Sequence, residues 1–235
     1  MLIPSERKKI KFTKGLFQNN AAGMEKYQEI YDQFSEGGYT KELCEEYADA
    51  FVDESKNQAP FDIIQLASLY DKVHDDKSAA FYLDMLAEKK LSGDDRFEYA
   101  VITLINKSKL GQWRDAVDFR TDNIDFMQKY SLKIPVARQV KMHIANALVE
   151  CAAKNYVDAF RLLRDIKYKP TGRNDTTLLD ILITGIYICT ISGADGISES
   201  VENTKSYLGV CTGFEFDWMR GYYEKRIRDA QVGII

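Results

Sequence analysis

An all-α fold assembled from helix pairs is what this sequence predicts, and three observations predict it. Apolar residues recur at intervals of three and four almost everywhere after Asn20, the spacing that gathers side chains on one helical face. Only four prolines interrupt the 235 residues, so long stretches of good helix formers run unbroken. Two stretches, "KLGQWRDAVDF" from Lys109 and "AKNYVDAFRLL" from Ala153, repeat one pattern: a polar break, a large ring, then an alanine three residues on.

The elements follow in order. Residues 1–19 form a basic arm, irregular or holding a short strand at "KIKF" (Lys9 to Phe12), and residues 20–235 form a single helical-repeat domain. Met24, Tyr27, Ile30, Tyr31 and Phe34 make the first apolar stripe; after the break at Gly37 and Gly38, Leu43, Tyr47, Ala50 and Phe51 make the second. Pro60 suits the first turn of the third helix, carrying Phe61, Ile64, Ala67 and Tyr70, and "HDD" connects it to Ala79, Leu83 and Leu86. Ser92, followed by Asp94 and Asp95, reads as the cap of the helix of Phe97, Ala100, Val101, Leu104 and Ile105. Gly111 then turns the chain into Trp113, Ala116, Val117, Ile124 and Met127. Pro135 precedes Val136, Val140, Ile144, Ala147 and Leu148, and Tyr156, Ala159, Phe160 and Leu163 follow. A fifth pair spans Leu178 to Tyr207, and Thr212 with Glu215 reads as a capping box before a last helix holding Trp218 and Tyr222. About eleven helices result.

The repeated ring and alanine have a packing rationale. Where two helices join by a tight turn and cross closely, a large side chain at the start of the second fills the wedge, and a small one a turn later lets the first approach. Trp113 with Ala116 and Tyr156 with Ala159 fit this; Lys77 with Ala80 and Tyr39 with Glu42 stand as weaker copies, giving spacings of 38, 36 and 43 residues.

Gly111, Trp113 and Ala116, then Ala147, Tyr156, Ala159 and Pro170, carry a likeness: the chain resembles the tetratricopeptide-repeat and related helical-hairpin superfamily. The resemblance covers most of the chain after residue 20. It implies a right-handed superhelical array of about five antiparallel helix pairs with a C-terminal capping helix; a compact helical bundle is the alternative. It also implies a module that binds a protein or peptide on the surface made by the first helix of each pair. The corresponding positions are Tyr27 and Tyr31, Gln65 and Leu69, Val101 and Ile105, Ile144 and Leu148, mostly apolar or aromatic. The lysine and asparagine clamp by which some members grip a C-terminal carboxylate is absent, so a hydrophobic or aromatic segment is the expected ligand. Trp218 and Tyr222, among Arg220, Lys225, Arg226 and Arg228, add a ring-and-guanidinium surface of the kind found at binding hot spots.

Composition narrows the function classes. Hydrophobic content of 45% with 29% charged residues is that of an ordered chain. A formal charge of −4 argues against a generally basic surface and hence against nucleic acid as partner. The basic arm (Arg7, Lys8, Lys9, Lys11, Lys14) and "KYKPTGR" from Lys167 keep an RNA-binding accessory role as one alternative. Cys44, Cys151, Cys189 and Cys211 show no paired spacing; the first three sit beside apolar neighbours as buried free thiols do, pointing to a reducing, cytoplasmic setting. The N-terminus lacks the apolar run of a secretory signal, and the most apolar window, Leu178 to Ile191, is too short for a membrane span and contains Asp180.

Nothing specific claims catalysis. "DDRFE" from Asp94 to Glu98 resembles the carboxylate run with which isoprenoid synthases hold magnesium against a diphosphate, the basis of the enzyme alternative. Ala194, however, stands where the partner motif needs a ligand, and Asp94 and Asp95 at a helix start suit the helix dipole without metal. His74 and His143 lie 69 residues apart with no matching ligands, and no nucleophile elbow or phosphate-cradling glycine loop occurs. The expectation is therefore a non-enzymatic protein without metal or cofactor and without a small-molecule substrate, acting as adaptor, chaperone or toxin-neutralising regulator.

Overall fold

A computed structural model describes residues 21–52, 59–170 and 176–235, with side chains from residue 28 onward. The basic arm, the "KIKF" segment and the Tyr27 side chain lie outside the described residues. Eleven helices and no strand occur among the described residues, in agreement with the all-α expectation. They are α1 (Ala21–Gly37), α2 (Lys41–Phe51), α3 (Pro60–Lys72), α4 (Asp76–Asp84), α5 (Gly93–Lys109), α6 (Trp113–Ser131), α7 (Val136–Ala152), α8 (Tyr156–Arg164), α9 (Thr176–Ser192), α10 (Ile197–Val210) and α11 (Trp218–Gln231). Where the sequence suggests one domain, the chain divides into two compact units. One holds α1–α4 and the segment Glu215–Trp218; the other runs from Lys90 to Phe214 and from Met219 to Ile235.

Three helix pairs are joined by the same turn. In α3/α4, α5/α6 and α7/α8 the first helix ends on a near-helical residue (Val73, Leu110, Ala153), followed by one in the left-handed region: His74 at φ 59°, Gly111 at 70° and Lys154 at 64°. The next residue closes the turn by donating its amide five residues back: Asp75 to Tyr70 O (3.0 Å), Gln112 to Lys107 O (2.9 Å) and Asn155 to Glu150 O (2.8 Å). The left-handed residue donates three residues back, to Asp71, Ser108 and Cys151. This is the Schellman closure, which satisfies carbonyls the ending helix leaves open. Its last residue is at once the N-cap of the second helix, with φ and ψ of −96° and 69°, −82° and 54°, and −87° and 59° in the three copies.

The fourth residue of each second helix is small and fully buried: Ala79, Ala116 and Ala159, with Cys44 at the same place in α2. The repeated positions therefore start at Lys41, Asp76, Trp113 and Tyr156, with spacings of 35, 37 and 43 residues. Lys77 with Ala80 and Tyr39 with Glu42 were one and two positions out of register: the "AA" at 79–80 offers two candidates, and cysteine serves as the small residue of α2. The ring half of the wedge fails at one copy. Trp113 is 42% exposed and carries the Arg114 guanidinium 5.1 Å from its ring, whereas Tyr156 is half-buried against the core of Ala147, Ala159 and Ile188.

In the larger unit α7 packs on α5 and α6, and α9 packs on α7 and α8, so the first helices of successive pairs touch in series. Phe97, Ala100, Leu104, Met127, Met142 and Ala145 fill the space between the first two pairs; Ile144, Leu148, Leu163 and Ile188 fill the next, and Ile105 packs against both cores. In the smaller unit Phe34 is ringed by Tyr39, Phe216 and Trp218 at 5.1 to 5.3 Å. Gly38 allows this approach: its φ is 76°, and a Cβ there would lie 3.0 Å from the Trp218 ring.

Local start signals hold unevenly. Pro60 opens α3 and the Thr40 hydroxyl caps α2 through Leu43 N (3.1 Å). Ser92 occupies the N-cap of α5, yet its side chain makes no capping bond. Pro135 is the N-cap of α7 instead of a first-turn residue. Thr212 and Glu215 lie three and more residues ahead of α11, which starts only at Trp218.

Candidate functional site

The positions assigned to a binding surface on the first helices divide by burial. Leu69 is 0%, Val101 1%, Leu148 3% and Ile144 7% exposed. These four are core: Val101, Ile144 and Leu148 lie where α5, α7 and α9 pack in series, and Leu69 lies in the core that α3 shares with α2 and α4. Tyr31, Gln65 and Ile105 are half-buried. Tyr31 packs its ring against Phe34 and Phe216, both at 6.4 Å. Trp218 is half-buried in the same aromatic cluster.

The acidic run has an internal partner. The Arg138 guanidinium, from the first turn of α7, donates to Asp94 Oδ1 (2.8 Å) and to Glu98 Oε1 (2.7 Å), and the Tyr130 hydroxyl donates to the same Asp94 oxygen (2.9 Å). Burial works against the charge of Arg138, but Glu98 and Asp94 more than offset it and raise its pKa above the ordinary arginine value. Burial, then the neighbouring Asp94, pushes the Asp95 carboxyl up. Arg138 thus pairs with two of the three carboxylates of the run, Asp94 and Glu98. Among the described residues, no group of three or more His, Cys, Asp or Glu is placed to hold a metal ion. His143 is half-buried and burial pushes its pKa down, holding it neutral inside the helix stack.

The sequence reading singled out α11 for its rings and guanidinium groups, and here the structure brings together side chains that the sequence leaves far apart. Arg226 donates to Asp180 of α9 and lies over the rings of Tyr222 (5.7 Å) and Tyr223 (5.6 Å). Burial opposes its charge, and Asp180 with the two tyrosines more than restores it. Tyr223 is buried, and burial drives its hydroxyl well above the usual pKa. Arg220 closes the end of α10: its two terminal nitrogens donate to Leu208 O (2.9 Å) and Cys211 O (2.6 Å), with Phe214 beneath at 5.4 Å. A cation on the carbonyl end of a helix is favourable both as a donor and through the helix dipole.

Beside this cap a cavity of about 360 Å³ opens between α10 and α11. Buried Leu208 and Ile227 line it with apolar surface, while Lys205, Arg220 and Arg228 supply three cations against the single carboxylate of Glu224. Tyr222, a predicted binding residue, is committed to the neighbouring Arg226 stack; the cavity residues Lys205, Gly209 and Ile227 escaped sequence reasoning. Lys205 and Gly209 stand four residues apart on α10, while Ile227 precedes Arg228 on α11 and gives no signal beyond its apolar side chain. No protein-family model, curated protein or solved structure matches the chain.

Proposed function

We propose that this chain is a non-enzymatic protein-interaction module that binds a polypeptide partner on a stack of helical hairpins. The observation that carries the reading is the threefold recurrence of one turn geometry, with its buried small residue, combined with serial packing of α5, α7 and α9. A right-handed superhelical succession of these pairs, closed by α11, is the arrangement the family resemblance implies and is part of the proposal. Rigidly packed pairs hold surface side chains in place, so little ordering entropy is lost when a partner docks.

The four cysteines support a cytoplasmic setting. All are buried free thiols, and burial pushes Cys44 up to about 12 and Cys151 to about 11, leaving both protonated and inert. Among the described residues no helix is long and apolar enough to cross a membrane. Large apolar side chains exposed on three of the pairs, Phe81 at 55%, Trp113 at 42% and Val157 at 83%, offer contact points.

Site-specific photocrosslinking in the native cells tests the proposal. Benzoylphenylalanine placed in turn at Phe81, Trp113, Val157 and Tyr222 is expected to yield one recurrent polypeptide adduct from a subset of positions. Adducts that are absent at every position, or equally diverse at all of them, would overturn it.

A further inference from the structure

We propose that the cavity between α10 and α11 receives an acidic segment of the partner polypeptide, its carboxylates held by Lys205 and Arg228. This rests on the polypeptide-binding reading above and gives it a location and a ligand chemistry.

Charge is the first support. The chain carries a net −4, yet this cavity gathers three cations and one carboxylate. Lys205 and Arg228 are exposed, and neither makes an ion pair or hydrogen bond to any described residue. Arg220 spends two of its five N–H donors on the end of α10 and keeps its charge at the cavity wall.

The spread of those charges selects the ligand. Arg220, Glu224 and Arg228 succeed one another at four-residue steps along α11, which separates the two guanidinium-bearing positions by about 12 Å of helix axis. A single phosphoryl group would need cations that converge on one point. Lys205 reaches the cavity from α10 and Arg228 from α11, so its two exposed cations come from separate helices and suit carboxylates on more than one residue of a segment. A volume of about 360 Å³ is enough for a few side chains and too small for a folded domain.

Gly209 is the second, independent support. It lies within α10 with ordinary helical handedness, where glycine is a poor helix former, and nothing stands within 4 Å of where its Cβ would be. No packing constraint calls for glycine there. What the missing side chain leaves is open room in the cavity wall.

The test uses the full chain and a fluorescein-labelled eight-residue peptide alternating glutamate and leucine, with a lysine-for-glutamate peptide, inorganic phosphate and a short oligoribonucleotide as comparisons. The glutamate peptide is expected to bind, and the double substitution Lys205→Gln/Arg228→Gln to weaken it by about tenfold or more. Gly209→Trp, which fills the cavity from a position facing open space, is expected to block it while helical circular dichroism stays unchanged. Should Gly209→Trp misfold, the two exposed glutamine substitutions decide alone. No binding, equal binding of the lysine peptide, indifference to the double substitution, displacement by equimolar phosphate, or tighter binding of the oligoribonucleotide would each overturn the proposal. If the peptide fails while the photocrosslinks form elsewhere, this cavity is excluded and the interaction module stands; if both fail, both are excluded.

Discussion

The α5/α6 and α7/α8 pairs share a turn, a left-handed residue and a buried alanine, yet use their rings in opposite ways. Trp113 sits out beneath Arg114 at 42% exposure, while Tyr156 packs half-buried on the core of its own pair. The hairpin therefore depends on the turn and the small residue, and the ring is an accessory whose role each copy sets separately. A side chain at the first residue of a helix has the free volume beyond the helix end available to it, whereas one at the fourth residue lies within the crossing.

Enlarging the small residue should have the greatest effect, because Ala116 and Ala159 have no exposed surface and no room. Ala116→Leu and Ala159→Leu are each expected to cost about 2 kcal/mol in urea unfolding, and by similar amounts. Cutting back the rings should separate the copies: Tyr156→Ala is expected to lose about 1.5 kcal/mol and Trp113→Ala less than about 0.5 kcal/mol. Equal losses would restore the ring as a general wedge.

The parts of this fold legible in the sequence are those that local pattern encodes. Helix number, the pairing of α9 with α10 and the buried alanines of α6 and α8 follow from apolar spacing and from Gly111. His74 and Lys154 at left-handed positions do not, since neither side chain announces a positive φ and only the Schellman bonds reveal it. The contact of Arg138 with Asp94 and Glu98 joins residues 44 and 40 apart, and no one-dimensional pattern indicates it. The surface assigned to Leu69, Val101, Ile144 and Leu148 was misplaced because an apolar stripe on a first helix marks a packing face before it marks a binding face. At α11 the rings and cations were visible, but the cavity also needs α10 opposite them.

The turns themselves allow a smaller test. Gly111 adopts φ 70° with nothing near its missing Cβ, so Gly111→Ala isolates the backbone cost and should destabilise by about 1 kcal/mol. Lys154→Gly, at the same place in the next copy, should instead stabilise by up to about 0.5 kcal/mol, since relief of strain is partly offset by the freer unfolded chain. The α3/α4 turn differs in having a charged cap: the Asp75 carboxylate accepts from Ser78 N at 3.1 Å. Burial pushes this carboxyl up, and the Ser78 bonds with Lys41 more than offset it, so its pKa lies below the ordinary aspartate value. A depressed folded pKa means stabilisation present above pH of about 4 and lost as pH falls further. Asp75→Ala should cost about 1 kcal/mol at neutral pH and less in acid.

Intraresidue amide-to-Hα NOE intensities at His74 and Lys154 test the repeated hairpin most directly, since a positive φ brings those protons closest. Strong cross-peaks are expected at both, set against weak ones in the flanking helices. A weak, helix-like cross-peak at either of them would mean that the turn is not repeated, and would remove the scaffold on which the proposed binding surface is built.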